Sequence, residues 1–67
     1  LSSTDKVLIV DDVLATGGTL RAAIELLGMT NAQCLGSAVV AEIALLNGRE
    51  KVAETFPNHS IRALFTL

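Results

Sequence analysis

Residues 7–19 of the chain read VLIVDDVLATGGT, and the predicted fold depends mainly on this stretch. Its first four residues form an unbroken apolar run, which is typical of a strand buried on both faces in a parallel sheet between helices. Two acids, Asp11 and Asp12, follow at the carboxyl end of that strand. Open α/β sheets bind ligands in the crevice beyond these ends. The pattern therefore predicts an α/β fold with a binding site at this edge.

The second half of the stretch is suited to an anion. Gly17 and Gly18 allow backbone torsions that other residues avoid and let the chain approach a ligand closely. After Thr19 the apolar residues take helical spacing, so the first N–H groups of a helix follow the glycines and can bind an anion. The hydroxyls of Thr16 and Thr19 add possible donors. Together with the acids, which accept hydrogen bonds from hydroxyls, the stretch predicts a sugar-phosphate site.

The same residues resemble the phosphoribosyl-pyrophosphate motif of type I phosphoribosyltransferases, in which apolar residues and two acids precede TGGT. The form DDVLATGGT, residues 11–19, is most similar to the adenine phosphoribosyltransferase family. The similarity continues through ELLG at 25–28, VAEI at 40–43 and NGREK at 47–51. It implies an enzyme of purine salvage that transfers a phosphoribosyl group from phosphoribosyl pyrophosphate to adenine, with Mg²⁺, giving AMP and pyrophosphate. It also implies a cytoplasmic homodimer.

The two acids are the candidate catalytic residues. Asp11 and Asp12 are expected to accept hydrogen bonds from the ribose hydroxyls, because a charged acceptor makes these bonds stronger. Their negative charge also suits a ribosyl centre that becomes positive as pyrophosphate leaves. Mg²⁺ keeps several waters and prefers substrate phosphates, so we expect the acids to meet it only through water.

The remaining site residues divide between phosphate and base. The 5′-phosphate is expected to be held by Ala15, Thr16, Gly17, Gly18 and Thr19. By the family resemblance, Val13 and Ile43 flank the base, which suits apolar side chains beside a flat ring. Glu42 has two possible roles, a contact with the base or a structural pair with Arg49, and the structural role is favoured.

The motif also allows other interpretations. KVLIVDD at residues 6–12 also begins receiver domains, whose paired acids hold magnesium, but a phosphate loop ATGGT has no role there. No GK[ST] follows the glycines and no G-x-G-x-x-G is present, which excludes a Walker loop and a dinucleotide fingerprint. The plain structural alternative is a strand, a glycine turn and a helix whose neighbouring acids are only solvated. A non-catalytic or regulatory phosphoribosyl-pyrophosphate-binding domain, or a transferase for another base, stays open.

Size and composition suggest part of a larger domain. The chain has 67 residues, 51% of them apolar, with a mean hydropathy of +0.56. So few residues can hardly cover both faces of three strands. We therefore expect residues 1–67 to be a partial phosphoribosyltransferase domain that is inactive alone.

The charge and the apolar runs of the chain do not favour a nucleic-acid-binding or membrane-spanning protein. The net charge of −2 with no basic run does not favour a nucleic-acid partner, and no apolar run approaches the length of a membrane span. Cys34 begins an apolar run, so a buried, reduced thiol is expected. His59 lies in a turn and is expected to be solvated.

The predicted elements place the candidate site at one edge. Strands are predicted over 6–11, 33–43 and 60–67, the phosphate loop over 12–18, a helix over 18–30, a short helix or loop over 45–54 and a turn over 56–59. Gly28 or Asn31 could end the first helix in a left-handed conformation. A right-handed β-α-β crossover makes the first two strands parallel, so their carboxyl ends meet.

Overall fold

The computed structural model describes residues 2–67, which form three strands and two helices in alternation. The elements are β1 (Lys6–Leu14), α1 (Gly18–Gly28), β2 (Gln33–Glu42), a 3₁₀ turn (Ala44–Leu46), α2 (Gly48–Thr55) and β3 (Ile61–Thr66). The strands are all parallel and lie in the order β1-β2-β3. The predicted α/β class and its parallel β-α-β core are confirmed.

The hydrophobic core lies between the sheet and the two helices, which contact each other on the same face. Its buried members are Leu14, Leu20, Ile24, Val39, Val52 and Ile61. In β1, Leu8 and Val10 are exposed, which agrees with the expectation that so few residues cannot cover both faces of the sheet. They alternate with half-buried Val7 and Ile9, because both helices pack on one side of the sheet only.

β1 is three residues longer than predicted and ends at Leu14 instead of Asp11. Val13 and Leu14 continue the parallel pairing with Ala41 and Glu42 of β2. Leu14 is 1% exposed in the core, so burial of its side chain favours continuing the strand. The loop before α1 is consequently only residues 15–17.

The end of α1 also differs from the prediction. The helix ends at Gly28, before the predicted end at residue 30, and Met29 keeps right-handed torsions. Neither Gly28 nor Asn31 takes the left-handed conformation. Instead, the Thr30 hydroxyl donates a hydrogen bond to the carbonyl of Leu27 at 2.7 Å, which satisfies one of the open carbonyls of the last turn.

The second half of the chain matches the prediction within a few residues. The predicted short helix is divided into the 3₁₀ turn and α2, because Asn47 between them has a left-handed φ of 54°. β2 ends one residue early, and β3 is one residue shorter at each end. Gly36 also has a positive φ, and a Cβ there would meet the Ser60 carbonyl oxygen at 2.8 Å. The small residue thus accommodates the backbone just before β3.

Candidate functional site

The phosphate loop, predicted over residues 12–18, is only residues 15–17 in the structure and connects the carboxyl end of β1 to the first turn of α1. Gly17 precedes the helix with a left-handed φ of 86°, and no side chain caps the helix start. The first backbone bond of the helix runs from the Arg21 N–H to the Gly17 carbonyl, at 2.9 Å. The N–H groups of Gly18, Thr19 and Leu20 therefore have no partner within the helix. They form a concentrated donor site for an anion.

A small cavity of about 60 Å³ lies at this loop and is lined by residues 13–20. The structure thus brings together all five residues predicted to hold the phosphate, together with Val13. Thr16 and Thr19 are exposed, so their hydroxyls are accessible to a ligand.

Gly48 supports this loop from behind, a role that the sequence interpretation missed. It is the first residue of α2 and is buried against the loop. A Cβ on Gly48 would collide with the Ala15 carbonyl oxygen, and a Cβ on Gly17 would lie 2.7 Å from the Gly48 carbonyl oxygen. Two facing glycines therefore let α2 pack directly on the phosphate loop. Only the three-dimensional contact reveals this, since 31 positions separate Gly17 from Gly48.

The second glycine of the pair has a different environment. Gly18 begins α1 without a positive φ, and the nearest atom to a Cβ there is Thr16 Oγ1 at 3.9 Å. Of the two glycines, which both allow unusual torsions, only Gly17 adopts one. The free space at Gly18 adjoins the cavity of the loop.

Asp11 and Asp12 lie inside β1 rather than beyond its end, three and two residues before Leu14. Successive side chains of a strand point to opposite faces, and accordingly Asp11 is half-buried while Asp12 is exposed. Asp11 Oδ1 accepts a hydrogen bond from the Asp12 N–H at 2.8 Å, and Asp12 Oδ1 accepts one from the Val13 N–H at the same distance. These bonds orient both carboxylates, and among residues 2–67 the other oxygen of each has no protein donor.

The carboxyl ends of β1 and β2 meet as predicted. The Ile43 N–H donates to the Leu14 carbonyl at 2.9 Å, which joins the residue after β2 to the last residue of β1. Val13 is 43% exposed and Ile43 is half-buried, so both have apolar surface at the edge that holds the phosphate loop.

Glu42 takes the structural role. Its carboxylate receives hydrogen bonds from Arg49 Nη2 at 2.8 Å and from Nε at 3.1 and 3.2 Å. Arg49 Nη1 also donates to the Ile61 carbonyl at 2.6 Å, so one guanidinium joins β2, α2 and β3. The hydrogen bonds from Arg49 lower the pKa of Glu42, and the same bonds raise the pKa of Arg49.

Cys34 and His59 both differ from the prediction. Cys34 is exposed rather than buried and is the second residue of β2. His59 is half-buried rather than solvated, and its Nε2 lies 2.6 Å from the buried Ser37 Oγ. Burial lowers the pKa of His59. The sequence gave no signal for this contact, since the two residues are 22 positions apart.

Comparison with known proteins places the chain in a family. Residues 1–60 match the family model described as phosphoribosyl transferase domain. The chain belongs to this family. It is 42% identical over all 67 residues to an adenine phosphoribosyltransferase of Streptomyces coelicolor, of which it spans 37%, and 48% identical to one of Clavibacter michiganensis, of which it spans 36%.

Solved structures agree with this membership. The adenine phosphoribosyltransferase of Rhodothermus marinus superposes with a TM-score of 0.87 and 33% identity over the whole chain, which covers 36% of that protein. The enzyme of Giardia lamblia, solved with 9-deazaadenine, has a TM-score of 0.87 and 40% identity over the whole chain, which covers 37% of it. The chain therefore spans a little over a third of the length of each of these four relatives. Within residues 2–67, no helix is long and apolar enough to cross a membrane.

Proposed function

We propose that the chain is one part of an adenine phosphoribosyltransferase, an enzyme of purine salvage that makes AMP and pyrophosphate from adenine and phosphoribosyl pyrophosphate. One observation carries the proposal: an uncapped helix start and a cavity lined by residues 13–20 lie at the same sheet edge as two orientated carboxylates. The names of the relatives support adenine as the base. Residues 1–67 would form a partial transferase domain.

In this proposal the phosphate loop binds the 5′-phosphate. The phosphate oxygens accept hydrogen bonds from the free N–H groups at the start of α1, where the helix dipole favours a negative charge. The hydroxyls of Thr16 and Thr19 supply further donors. The residues assigned to this role are Ala15, Thr16, Gly17, Gly18 and Thr19.

The carboxylates act on the ribose. The free oxygens of Asp11 and Asp12 accept hydrogen bonds from the ribose 2′ and 3′ hydroxyls, which fixes the sugar relative to the loop. Positive charge develops on the ribosyl carbon as the bond to pyrophosphate breaks, and fixed negative charges nearby stabilise it. Because the two side chains point to opposite faces of the strand, we expect them to contribute unequally.

Mg²⁺ bound through water fits either of the two acids. Residues 2–67 contain no cluster of three or more His, Cys, Asp or Glu side chains that could enclose a metal. Two carboxylates with free oxygens suit an ion that keeps its waters and takes other ligands from substrate phosphates. When bound, the ion would neutralise charge on the pyrophosphate group.

The base and the assembly complete the proposal. Val13 and Ile43 would flank adenine with apolar surface at the edge of the sheet, beyond the ribose. The full-length protein would be a cytoplasmic homodimer, as the family resemblance implies.

The proposal is tested with Asp11→Asn and Asp12→Asn in the full-length transferase. Each change removes a charged acceptor, and losing such a hydrogen bond costs about 1.5–3 kcal/mol, or roughly tenfold to hundredfold in kcat/KM for AMP formation. Glu54→Gln, an exposed acid on α2, is the matched control and should leave AMP formation unchanged. Parental turnover in both aspartate variants would contradict the assignment. Binding of phosphoribosyl pyrophosphate by the parent without AMP formation would favour the regulatory alternative.

A further inference from the structure

A second cavity lies at the opposite end of the sheet from the phosphate loop. It has a volume of about 350 Å³ and opens beside the start of β2 and the segment before β3. Its apolar walls include Ile24, Leu35, Phe56 and Pro57. Cys34 and His59 also line it, and neither has a part in the proposed transfer reaction. The size is that of a pocket for a small organic molecule.

A thiol and an imidazole meet at the wall of this cavity. Cys34 Sγ lies 3.9 Å from His59 Nδ1, and the other ring nitrogen, Nε2, lies 2.6 Å from Ser37 Oγ. In the tautomer whose Nε2–H donates to Ser37, Nδ1 has a lone pair available to the thiol. A nucleophile beside a base that is itself held by a third polar group is the arrangement that activates cysteine side chains.

The exposure of Cys34 and the lack of fixed charge on the cavity walls determine which kind of compound can react there. Cys34 is exposed, so a molecule in the cavity can reach its sulfur. Burial lowers the pKa of His59, which keeps the imidazole neutral and able to accept a proton at pH 7. Apart from these two residues, no side chain lining the cavity has an ionisable group, so the walls hold no fixed charge to pair with a charged ligand. Such a ligand would lose hydration there with only the neutral polar groups of Thr55, Asn58 and Ser60 to replace it.

We propose that Cys34 is a covalent modification site for small, uncharged α,β-unsaturated carbonyl compounds, with His59 as the proton carrier. The thiol proton passes to His59 Nδ1 while Sγ forms a bond to the β-carbon of the compound. The electrons of the carbon–carbon double bond move towards the carbonyl, and the imidazolium returns the proton to the α-carbon. The product is a thioether, with no leaving group and no change of oxidation state that needs another reactant.

The Gly36 carbonyl is a second possible acceptor for the thiol proton of Cys34. It lies 3.8 Å from Cys34 Sγ and competes with His59 for the thiol proton. His59 is therefore needed to draw the proton away during attack, and removing it should slow the reaction rather than leave it unchanged.

The test uses the full-length transferase and two probes of matched reactivity, neutral 4-phenylbut-3-en-2-one and its 4-carboxyphenyl analogue. Adduct formation is followed by mass spectrometry of the peptide that contains Cys34. We expect the rate with the neutral probe to level off as its concentration rises, because the compound binds before it reacts, and the carboxylate probe to react more slowly. A rate that stays linear in concentration and equal for both probes would overturn the proposal, even if no variant folds.

The variant His59→Gln separates proton transfer from binding. It retains a side-chain amide that can reach Ser37 but cannot carry the proton. General acid–base catalysis is worth about 10²-fold or more, so the saturating rate should fall at least about tenfold. Cys34→Ser should give no adduct at this peptide while AMP formation continues at the parental rate, because the cavity lies at the far end of β2 from the phosphate loop. A saturating rate in His59→Gln equal to that of the parent would refute the role of His59.

Discussion

At the residue scale, Gly17 has a left-handed φ of 86° and lies too close to Gly48 for any Cβ, whereas Gly18 has neither restriction. A left-handed torsion costs about 1–2 kcal/mol for a residue with a Cβ. The first glycine is thus required for the fold of the loop. The second leaves space where we propose that the phosphate binds.

This difference predicts distinct effects of two alanine substitutions in the full-length protein. Gly17→Ala should lower the free energy of unfolding by at least about 1–2 kcal/mol, because it combines torsional strain with a collision. Gly18→Ala should leave stability nearly unchanged but weaken binding of phosphoribosyl pyrophosphate, since its Cβ enters the proposed phosphate space. Urea unfolding and calorimetric titration measure the two effects. Equal destabilisation by both changes would contradict this account of the loop.

The Glu42–Arg49 pair predicts a pH-dependent contribution to stability. The folded pKa of Glu42 is lower than its unfolded value, so its stabilising effect is present at neutral pH and is lost as the pH falls below about 4.5. Glu42→Gln should therefore cost about 1 kcal/mol at pH 7 and progressively less below that range. Thermal unfolding of both proteins between pH 7 and pH 3 checks this. A difference that stays constant over the whole range would show that the charge of Glu42 is not responsible.

Individual contacts were predictable only where the sequence is locally informative. The five phosphate-loop residues are consecutive, so their grouping around one cavity could be anticipated from the motif. Cys34 and His59 contact each other across 25 positions of the chain, and no local pattern indicates that His59 lies against Ser37. Whether a residue near the end of a strand is buried likewise depends on tertiary packing, which a local apolar pattern does not encode. The expectation that Cys34 is buried is wrong for this reason.

At the element scale, α2 is a support for the phosphate loop. Its first residue, Gly48, contacts the backbone of Ala15 and Gly17, and Arg49 anchors the same turn to β2 and β3. A shift of α2 would therefore move the loop directly. This relation connects the stability of a short helix to the geometry of the proposed binding site.

The support predicts that Gly48→Ala weakens phosphoribosyl pyrophosphate binding as well as stability, because the new Cβ pushes α2 away from Ala15. Ala53→Gly is the matched control on the same helix. It is exposed and should cost about 1 kcal/mol of helix propensity without touching the loop. Affinity from calorimetry should therefore fall for Gly48→Ala alone. Comparable affinity losses in both variants would mean that general loosening of α2, not contact with the loop, affects binding.

Element types were predicted better than element ends. Apolar runs and helical spacing identify the three strands and α1, because burial on the sheet requires those patterns. The ends depend on partners elsewhere: β1 continues to Leu14 because β2 continues opposite it, and α1 ends where Thr30 binds the Leu27 carbonyl. Such tertiary pairings are not encoded by local spacing.

At the scale of the whole molecule, the sheet has one covered face and one open face. On the open face Val10 is 71% exposed and Leu64 is 76% exposed, and β1 and β3 are edge strands of the described sheet. Exposed apolar surface and unpaired strand edges both favour association with other chains.

Residues 1–67 expressed alone should therefore self-associate and form no AMP from adenine and phosphoribosyl pyrophosphate. Sedimentation velocity should show species larger than the monomer, and the double variant Val10→Lys and Leu64→Lys should reduce them. Leu45→Lys is the control, since Leu45 is 87% exposed but lies on the 3₁₀ turn rather than on the sheet. A monomeric parent with a sharp two-state unfolding transition would show that the open face does not drive association.

The central claim, that the start of α1 holds the 5′-phosphate, is tested most directly by amide chemical shifts in the full-length protein. Ribose 5-phosphate and unphosphorylated ribose are titrated separately and followed by ¹H–¹⁵N correlation spectra. The account predicts that the Gly18, Thr19 and Leu20 amide resonances move and saturate with ribose 5-phosphate but not with ribose at the same concentrations. Unmoved resonances at these three residues while others shift on binding ribose 5-phosphate would contradict it.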